Sequence, residues 1–385
     1  MKILHTADWQ IGKPFAGIND AHKCSLVRQE RIAAIDRLGA AARKSGAEAV
    51  IVSGDLFDST TPDRPTVSSA CAAIGRIGLP VYAIPGNHDH GGPGAIWEQE
   101  FFLREATQLA KNFRILLAAE PVELDGVVLL PCPLMRRQDA TDPTTWLRDF
   151  DFAALGHKPR IVIAHGSTQD FVTQDSSDED GAERGANRIA LERLPLAEID
   201  YIALGDWHGK KDVGSKAWYP GTPEFDRFPK GGDHAPGFVL LVDVGRGAPP
   251  VVEPIQTARF GWHWVDQQFT DDSGRAQLET KMNDLLDSRA GEDLVRMSLE
   301  GSLGISEFTQ LETHLETWKS RLLRLKLENR VRVAPTQEEM EALTVRASDP
   351  LISRVAARLI EQMNLGNEAG ETARVALREL HAKIS

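Results

Sequence analysis

The sequence has few cysteines and no long apolar run. Only Cys24, Cys71 and Cys132 occur among its 385 residues, and no two of them have the CxxC spacing of a zinc or redox site. No apolar segment approaches the ~20 residues that a transmembrane helix needs. Asp8 comes too early for the apolar region of a signal peptide. We therefore expect a cytoplasmic protein with no disulfide framework, no zinc knuckle and no membrane partner.

The sequence also lacks a nucleotide-binding loop and an excess of basic residues. No GxxxxGK[ST] segment occurs, so the chain has no P-loop with which to hydrolyse ATP. The formal net charge of −12 argues against a free-standing nucleic-acid binder that works through bulk charge. This charge is still compatible with a local basic groove, or with metal ions that neutralise an acidic site.

The chain length predicts more than one domain, because single cores stop growing near ~250–300 residues. In the first half, apolar and β-branched runs alternate with helical stretches near 26–45 and 66–77. This alternation is typical of a layered α/β domain whose strands are covered on both faces. The strand-like runs are KILHTA, AEAVIVSG, PVYAIPG, VVLLPCP, RIVIAHG and YIALGD.

Changes of pattern near residues 258 and 336 predict three parts. Strand-like segments after residue 217 complete a first domain, 1–257. Residues 258–335 are predicted to form a small α+β capping domain with helices near 275–288 and 306–325. Residues 336–385 are predicted to form a C-terminal helical segment, in which two helices each carry one apolar stripe and the first begins at Asp349-Pro350. The acidic stretch 169–183 predicts a mobile loop.

Five apolar runs each end in polar groups that can bind a metal ion. Taken alone, an Asp after a strand is commonly a helix cap or turn residue, and a His is commonly a structural hydrogen-bonding residue. Five repeats of one arrangement instead favour a shared metal site at one edge of a sheet. In chain order the groups are Asp8 with Gln10, Asp55 with Asp58, Asn87 with His88 and Asp89, His165, and Asp206 with His208.

The order of these groups resembles that of the calcineurin-like metallophosphoesterases. Within that superfamily, HTADWQIGK, GDLFD, PGNHD, ALGDWHG and YPGTPE resemble segments of the nuclease subunit (SbcD) of bacterial SbcCD-type DNA repair complexes and its YhaO-like relatives. These motifs span residues 1–225. The resemblance implies a two-sheet sandwich flanked by helices. It also implies a metal-dependent phosphodiesterase, expected to be a DNA exonuclease or endonuclease subunit.

The resemblance implies a role for each motif residue. Asp55 would bridge two divalent metal ions that activate the attacking water. The first ion would be completed by Asp8, Gln10 and His208. The second ion would be completed by Asn87, His165 and Asp206. Two catalytic residues would act beside the ions: His88 would face the substrate phosphate, and Asp58 would hold the His88 ring.

Two residues depart from the family pattern. Gln10 and Asp206 each stand where a histidine is expected. The resulting ligand shell is rich in oxygen and has only two imidazoles, which favours Mn²⁺ over zinc, with Mg²⁺ or Fe²⁺ as alternatives. Because Gln is a weak, neutral ligand, we expect the ion beside Gln10 to be the more loosely bound of the two.

The resemblance implies DNA and an SbcC-like coiled-coil ATPase as partners and allows a homodimer. The C-terminal apolar stripes would either dock such a coiled coil or pack on the protein's own core. A basic cluster at 319–332 would either contact DNA phosphates or form a solvated helix face. Two other functions are open: a small-molecule phosphoesterase on the same site, and a non-catalytic DNA-end-binding subunit with an incomplete first metal site.

Overall fold

The computed structural model describes residues 1–168, 186–228, 234–271, 273–345, 349–363 and 368–384. The chain divides into two compact units, Met1–Gly261 and Trp262–Ser385. The acidic stretch 169–183, predicted above to be a mobile loop, lies outside the described residues. None of the helices within the described ranges is long and apolar enough to cross a membrane.

The described residues of the first unit form strands and three α-helices. The helices are α1 (Ala21–Ser45), α2 (Arg64–Ile77) and α3 (Glu100–Leu109). The strands are β1 (Lys2–Thr6), β2 (Ala49–Ser53), β3 (Val81–Ile84), β4 (Phe113–Ile115), β5 (Val122–Glu123), β6 (Val128–Cys132), β7 (Arg160–His165), β8 (Ser167–Thr168), β9 (Arg188–Ile189), β10 (Tyr201–Gly205), β11 (Lys211–Asp212), β12 (Ala217–Tyr219), β13 (Phe238–Asp243) and β14 (Val251–Gln256).

Two six-stranded sheets form the body of this unit. Their strand orders are β14-β13-β1-β2-β3-β4 and β11-β12-β10-β7-β6-β5. The central strands of each sheet are parallel. Antiparallel strands lie at one edge of the first sheet and at both edges of the second. The carboxyl ends of β1, β2 and β3 therefore lie side by side in one sheet, and those of β7 and β10 lie side by side in the other. This arrangement confirms the predicted layered α/β sandwich.

Alternating side chains on the strands build two apolar layers. On β1, Ile3 packs between the two sheets, against residues such as Ile161 and Tyr201. The next residue, Leu4, faces the opposite layer and packs with Ile35 of α1 and other helix residues. The runs predicted to be covered on both faces, such as AVIVS in β2, are fully buried. These buried strands are rigid supports for the polar turns at their ends.

Capping residues determine where the first two helices begin and end. The Asp20 carboxylate accepts a hydrogen bond from the Lys23 N–H at 2.9 Å, so α1 begins at Ala21, five residues before the predicted start. Asp63 caps α2 in the same way. Gly46 and Gly78 end the two helices in the left-handed conformation, with φ of 73° and 71°.

The described residues of the second unit form a three-stranded sheet and five helices. Its sheet has the order β15-β16-β17, with β16 and β17 parallel and α5 as the crossover between them. An apolar core joins the sheet to α4 and α5. The elements are β15 (Gly261–Phe269), α4 (Ser273–Leu286), β16 (Asp293–Leu303), α5 (Ile305–Arg321), β17 (Arg324–Val333), α6 (Gln337–Thr344), α7 (Pro350–Met363) and α8 (Glu368–Ile384).

The C-terminal segment differs from the sequence prediction in its helix count. Three helices follow Pro335 among the described residues, because α6 precedes the two that were predicted. Six apolar residues of the predicted stripes on α7 and α8 pack with Ile305 and Leu343 of the same unit: Leu359, Ile360, Met363, Ala373, Leu377 and Leu380. Leu351 and Val355 of α7 are exceptions, with 70% and 42% of their surface exposed. The stripes therefore serve mainly as core, and one end of α7 keeps an exposed apolar patch.

The basic cluster at 319–332 does not form one helix face. The helix predicted over 306–325 ends at Arg321, and the following basic residues lie on the edge strand β17. Arg330 lies 3.4 Å from Glu300, and Lys319 lies 3.6 Å from Glu316, so acidic neighbours offset part of the charge. The predicted solvated helix face is therefore wrong for residues 324–332, and contact of this cluster with DNA stays a prediction.

Candidate metal centre

The turns that carry the predicted ligands have an unusual backbone. Positive φ angles occur at Asp8, Gln10, Asp55 and Asp206, with values of 54°, 41°, 54° and 108°. These four are among only seven non-glycine residues with positive φ in the described parts of the chain. Such a conformation costs roughly 1–3 kcal/mol per residue and persists where the surrounding structure enforces it. The strain is concentrated at the predicted site, as is common for functional residues.

Backbone hydrogen bonds fasten the first two turns together. The Asp8 N–H donates to the Gly54 carbonyl at 3.1 Å, and the Gln10 N–H donates to the Asp55 carbonyl at 2.9 Å. These bonds continue the parallel pairing of β1 and β2 beyond the strand ends. Asp8 and Asp55 are therefore held side by side by the main chain and do not depend on side-chain packing for their position.

Glycines make room for the side chains of the site. A Cβ at Gly54, whose φ is 90°, would lie 2.3 Å from the Nδ1 atom of His165. A Cβ at Gly86 would lie 2.1 Å from the Oδ1 atom of Asp55. Both distances are far shorter than any van der Waals contact. The glycines of the GD and GN pairs are thus required by close approach of site residues as well as by turn geometry.

Three buried ligands form the centre of the site. Asp8, Asp55 and His165 offer ligand atoms that all lie within 4.8 Å of one another. The His165 Nδ1–H donates to the Ser53 carbonyl at 2.8 Å, which directs Nε2 into the site. Nε2 lies 3.0 Å from the Asn87 amide oxygen and 3.6 Å from an Asp55 carboxylate oxygen. The Nε2 lone pair and these two oxygens would repel one another unless a proton or a cation lies between them.

Asp206 joins this centre from the second sheet. Its N–H donates to the Asp8 carboxylate at 3.1 Å, and its own carboxylate accepts a 2.7 Å bond from the Ser167 hydroxyl. The other carboxylate oxygen of Asp206 lies 3.8 Å from the Nε2 atom of His165. The structure therefore brings together five of the seven predicted ligands: Asp8, Asp55, Asn87, His165 and Asp206.

The pKa values of the centre reflect crowded negative charge. Burial alone would lower the pKa of the His165 imidazole, but the carboxylates of Asp55, Asp8 and Asp206 outweigh it and raise the pKa to about 9. Burial, together with the neighbouring carboxylates, raises the pKa of Asp8 well above its usual value. Protons thus stabilise the crowded carboxylates, and a divalent cation would do so more strongly. The chemistry of this ligand set fits a metal ion.

His88 lies beside the centre. Its backbone N–H donates to the Asp55 carboxylate at 2.9 Å. Its ring nitrogen Nδ1 lies 3.1 Å from the main-chain carbonyl oxygen of Asp58. The ring is thus in contact with the backbone of Asp58, and the predicted role of the Asp58 carboxylate stays a prediction. The orientation of His88 therefore depends on the turn that carries Asp58, a detail that sequence alone could not give.

Gln10 and His208 contact each other and form a second group of polar residues with Lys13 and Asp226. The amide nitrogen of Gln10 lies 3.5 Å from Nε2 of His208, and the amide oxygen accepts a 2.9 Å bond from Lys13. His208 Nδ1 hydrogen-bonds to the buried Asp226 carboxylate at 2.9 Å. Arg227 also contacts that carboxylate, at 3.1 Å.

Sequence reasoning missed Lys13, Asp226 and Arg227. Burial alone would raise the pKa of Asp226, but Arg227, His208 and Lys13 outweigh it and lower the pKa well below its usual value. Burial lowers the pKa of His208, so its imidazole is neutral. Asp226 follows closely on the YPGTPE segment, which carries the family resemblance but had no residue with a predicted role. That segment was the one available signal.

The two predicted ion positions therefore differ in how well they fit a cation. The set of Asp55, Asn87, His165 and Asp206 offers oxygen ligands and the Nε2 atom of His165, whose proton a divalent ion would displace on binding. Beside His208, the oxygen of Gln10 is held by an ammonium group and its amide N–H₂ faces the His208 ring. This second set does not fit a cation in the arrangement described.

Comparison with known proteins agrees with this geometry. Residues 1–210, more than half of the chain, match the calcineurin-like phosphoesterase family. The chain is also similar to the crystal structure of TT1561 of Thermus thermophilus, with 15% identity over 66% of this chain and 98% of that chain and a TM-score of 0.38. That structural likeness is too weak to support a conclusion. On the family match, the chain belongs to the calcineurin-like phosphoesterases, which hydrolyse phosphoesters with divalent metal ions.

Proposed function

We propose that this protein hydrolyses phosphodiesters, that its working ion is Mn²⁺, and that its substrate is DNA. The observation that carries the proposal is the buried cluster of carboxylates around His165, with His88 directly beside it. Oxygen-rich ligand sets favour Mn²⁺ and Mg²⁺ over zinc. DNA is favoured over smaller phosphodiesters by the segments that resemble the SbcD-type nuclease subunits, among them PGNHD and ALGDWHG.

Four residues of the site would bind the metal ion, and one would contact the substrate. Asp55, Asn87, His165 and Asp206 would hold a divalent ion, which supplies a Lewis acid for the phosphoryl oxygen and lowers the pKa of water. The strained turns fix Asp55 and Asp206 before substrate arrives, so little reorganisation of these ligands is needed during the reaction. His88, whose backbone N–H binds the Asp55 carboxylate, would contact a phosphate oxygen or protonate the leaving oxygen.

The experiment that tests this proposal measures cleavage of linear duplex DNA by the purified chain with Mn²⁺. The His88→Ala variant is expected to lose activity by about 10²-fold or more while keeping its bound metal, because general acid catalysis contributes about 10²–10⁴-fold. His157, which is exposed before β7, provides the matched control, and His157→Ala should cleave at the wild-type rate. Full activity of His88→Ala would refute its assigned role, and loss of metal would make it a ligand.

The substrate class is tested with two chromogenic esters. Turnover of bis-p-nitrophenyl phosphate above that of p-nitrophenyl phosphate is expected for a phosphodiesterase. The reverse preference would favour a small-molecule phosphomonoesterase. Tight binding of DNA ends without cleavage, at any metal concentration, would favour a non-catalytic DNA-end-binding subunit.

We also propose an SbcC-like coiled-coil ATPase as the partner, with the exposed end of α7 as part of its docking surface. The support is the apolar pair Leu351 and Val355, which is exposed on an amphipathic helix, together with the absence of a P-loop from this chain. Leu351→Asp should abolish co-purification with the ATPase and leave hydrolysis of small phosphodiesters unchanged. If light scattering instead shows that Leu351→Asp converts a dimer to a monomer, this surface is a homodimer interface.

A further inference from the structure

Lys13 is held in a largely buried ion pair next to Gln10. Its ammonium group donates to the amide oxygen of Gln10 at 2.9 Å and lies 3.2 Å from the Asp226 carboxylate. The Lys13 side chain is 13% exposed and that of Asp226 is fully buried. A lysine this well enclosed loses much side-chain freedom, so its position is defined by these two partners.

This contact fixes which end of the Gln10 amide faces the site. An ammonium group has donors only, so its partner on Gln10 must be the oxygen atom. His208 donates through Nδ1 to Asp226, which leaves its Nε2 as an acceptor for the Gln10 N–H₂ at 3.5 Å. The reverse orientation would place N–H₂ against ammonium and oxygen against a lone pair. Lys13 and His208 thus favour the same orientation of the Gln10 side-chain amide.

The same orientation removes Gln10 as a metal ligand. An ion at the position predicted from Gln10 and His208 would need the amide oxygen, and that oxygen is already bonded to a cation. Amide N–H₂ groups do not ligate metal ions, and the ammonium charge of Lys13 would repel a second divalent ion. Arg227, whose guanidinium also contacts Asp226, adds to this positive charge.

We propose that Lys13 and Gln10 take the place of one metal ion, so that the protein binds a single divalent ion per chain. That ion lies among Asp55, Asn87, His165 and Asp206. Two of the three ammonium protons of Lys13 go to Gln10 and Asp226, and the third is directed to a phosphate oxygen. This role toward phosphate rests on the proposed phosphodiester hydrolysis, whereas the ion count does not.

The ion count is measured on the full chain without substrate. Chelator-treated protein is titrated with Mn²⁺ by calorimetry and examined by electron paramagnetic resonance. The wild type should bind one Mn²⁺ per chain and show an uncoupled spectrum. The double variant Gln10→His, Lys13→Met should bind two, with the spin-coupled spectrum of a manganese pair. Lys111→Met, which removes an exposed lysine charge, should still bind one.

Two results would overturn the ion count: two coupled Mn²⁺ ions in the wild type, or one ion in a folded double variant. The wild-type count is decisive even if the double variant does not fold.

The phosphate role predicts that Lys13→Met raises the inhibition constant of inorganic phosphate about tenfold, for the loss of one charge-assisted hydrogen bond. An unchanged inhibition constant would refute that role. Absence of any hydrolysis would instead refute the proposed function and leave the ion count standing.

Discussion

The Gly54→Ala substitution should destabilise the protein by about 3–6 kcal/mol and abolish metal binding. Gly54 has a φ of 90°, a region that costs an alanine about 1–2 kcal/mol. The new Cβ would lie 2.3 Å from His165 Nδ1 and 2.9 Å from the Gly86 Cα, and such overpacking costs about 1–3 kcal/mol. Displacing His165 also removes its bond to the Ser53 carbonyl, worth about 1 kcal/mol.

Gly46→Ala is the matched control for this prediction. Gly46 ends α1 with a φ of 73°, but no atom lies within 4 Å of the Cβ position. The free energy of unfolding of this variant should therefore fall only by the cost of placing an alanine at positive φ, about 1–2 kcal/mol. Urea denaturation of chelator-treated protein measures both stabilities, and calorimetric titration with Mn²⁺ measures binding, which should be unchanged in Gly46→Ala.

Equal loss of stability in the two variants would refute the close approach of His165 to the turn. Mn²⁺ binding by Gly54→Ala at wild-type affinity would show that His165 is not a ligand or that its position is easily shifted. Either result would require a different arrangement of the centre.

Three further predictions concern charge and capping. Asp226→Asn should cost about 3–5 kcal/mol at neutral pH, because it removes the carboxylate that neutralises neighbouring buried cations. Since the folded-state pKa of Asp226 is lowered, this stabilisation is present above the usual carboxyl pKa and is lost as the pH falls. The difference in unfolding free energy between wild type and variant should therefore shrink at low pH. A difference that stays constant down to low pH would contradict the prediction. Mn²⁺ binding should strengthen as the pH rises towards about 9 and should release a proton from His165. Calorimetric titration in buffers of different ionisation heat measures this proton release. Equal binding heats in all buffers would argue against it. Glu339→Ala should lower the free energy of unfolding in urea by about 1–2 kcal/mol, because Glu339 completes a capping box with Thr336 and accepts a hydrogen bond from the Ile305 N–H at 2.9 Å. An unaltered urea midpoint would show that these bonds do not stabilise the protein.

Much of the first unit could be predicted because its signals are local. Runs such as AVIVS in β2 are apolar and β-branched throughout, and each is followed directly by a polar turn. Parallel strands bring those turns to one edge, so five separated motifs could be expected to meet. The structure places Asp8, Asp55 and His165 together in this way.

Elements of the second unit were harder to predict because local patterns were ambiguous. The sequence of β17, RLKLENRVRV, mixes Arg, Lys and Leu, which are good helix formers, and it becomes a strand only by pairing with β16. The helix α6 was missed although Thr336 and Glu339 have the spacing of a capping box. The division of the C-terminal part at residue 336 stays a prediction.

The surroundings of Gln10 could not be predicted from the sequence. The amide oxygen contacts a lysine three residues away, while its nitrogen faces His208, 198 residues further along the chain. A single sequence does not reveal that Asp226 draws Lys13, His208 and Arg227 together. The exchange of histidine for glutamine was visible, but its effect on the ion depends on these tertiary contacts.

The most direct test of the central claim is metal-dependent hydrolysis of bis-p-nitrophenyl phosphate at the Asp55 centre. The wild type and Asp55→Asn are stripped with chelator, and turnover is followed as Mn²⁺ is added back. The described centre predicts that Mn²⁺ restores turnover in the wild type and that Asp55→Asn stays inactive at every Mn²⁺ concentration. Turnover by the stripped wild type without metal, or full turnover by Asp55→Asn, would contradict it.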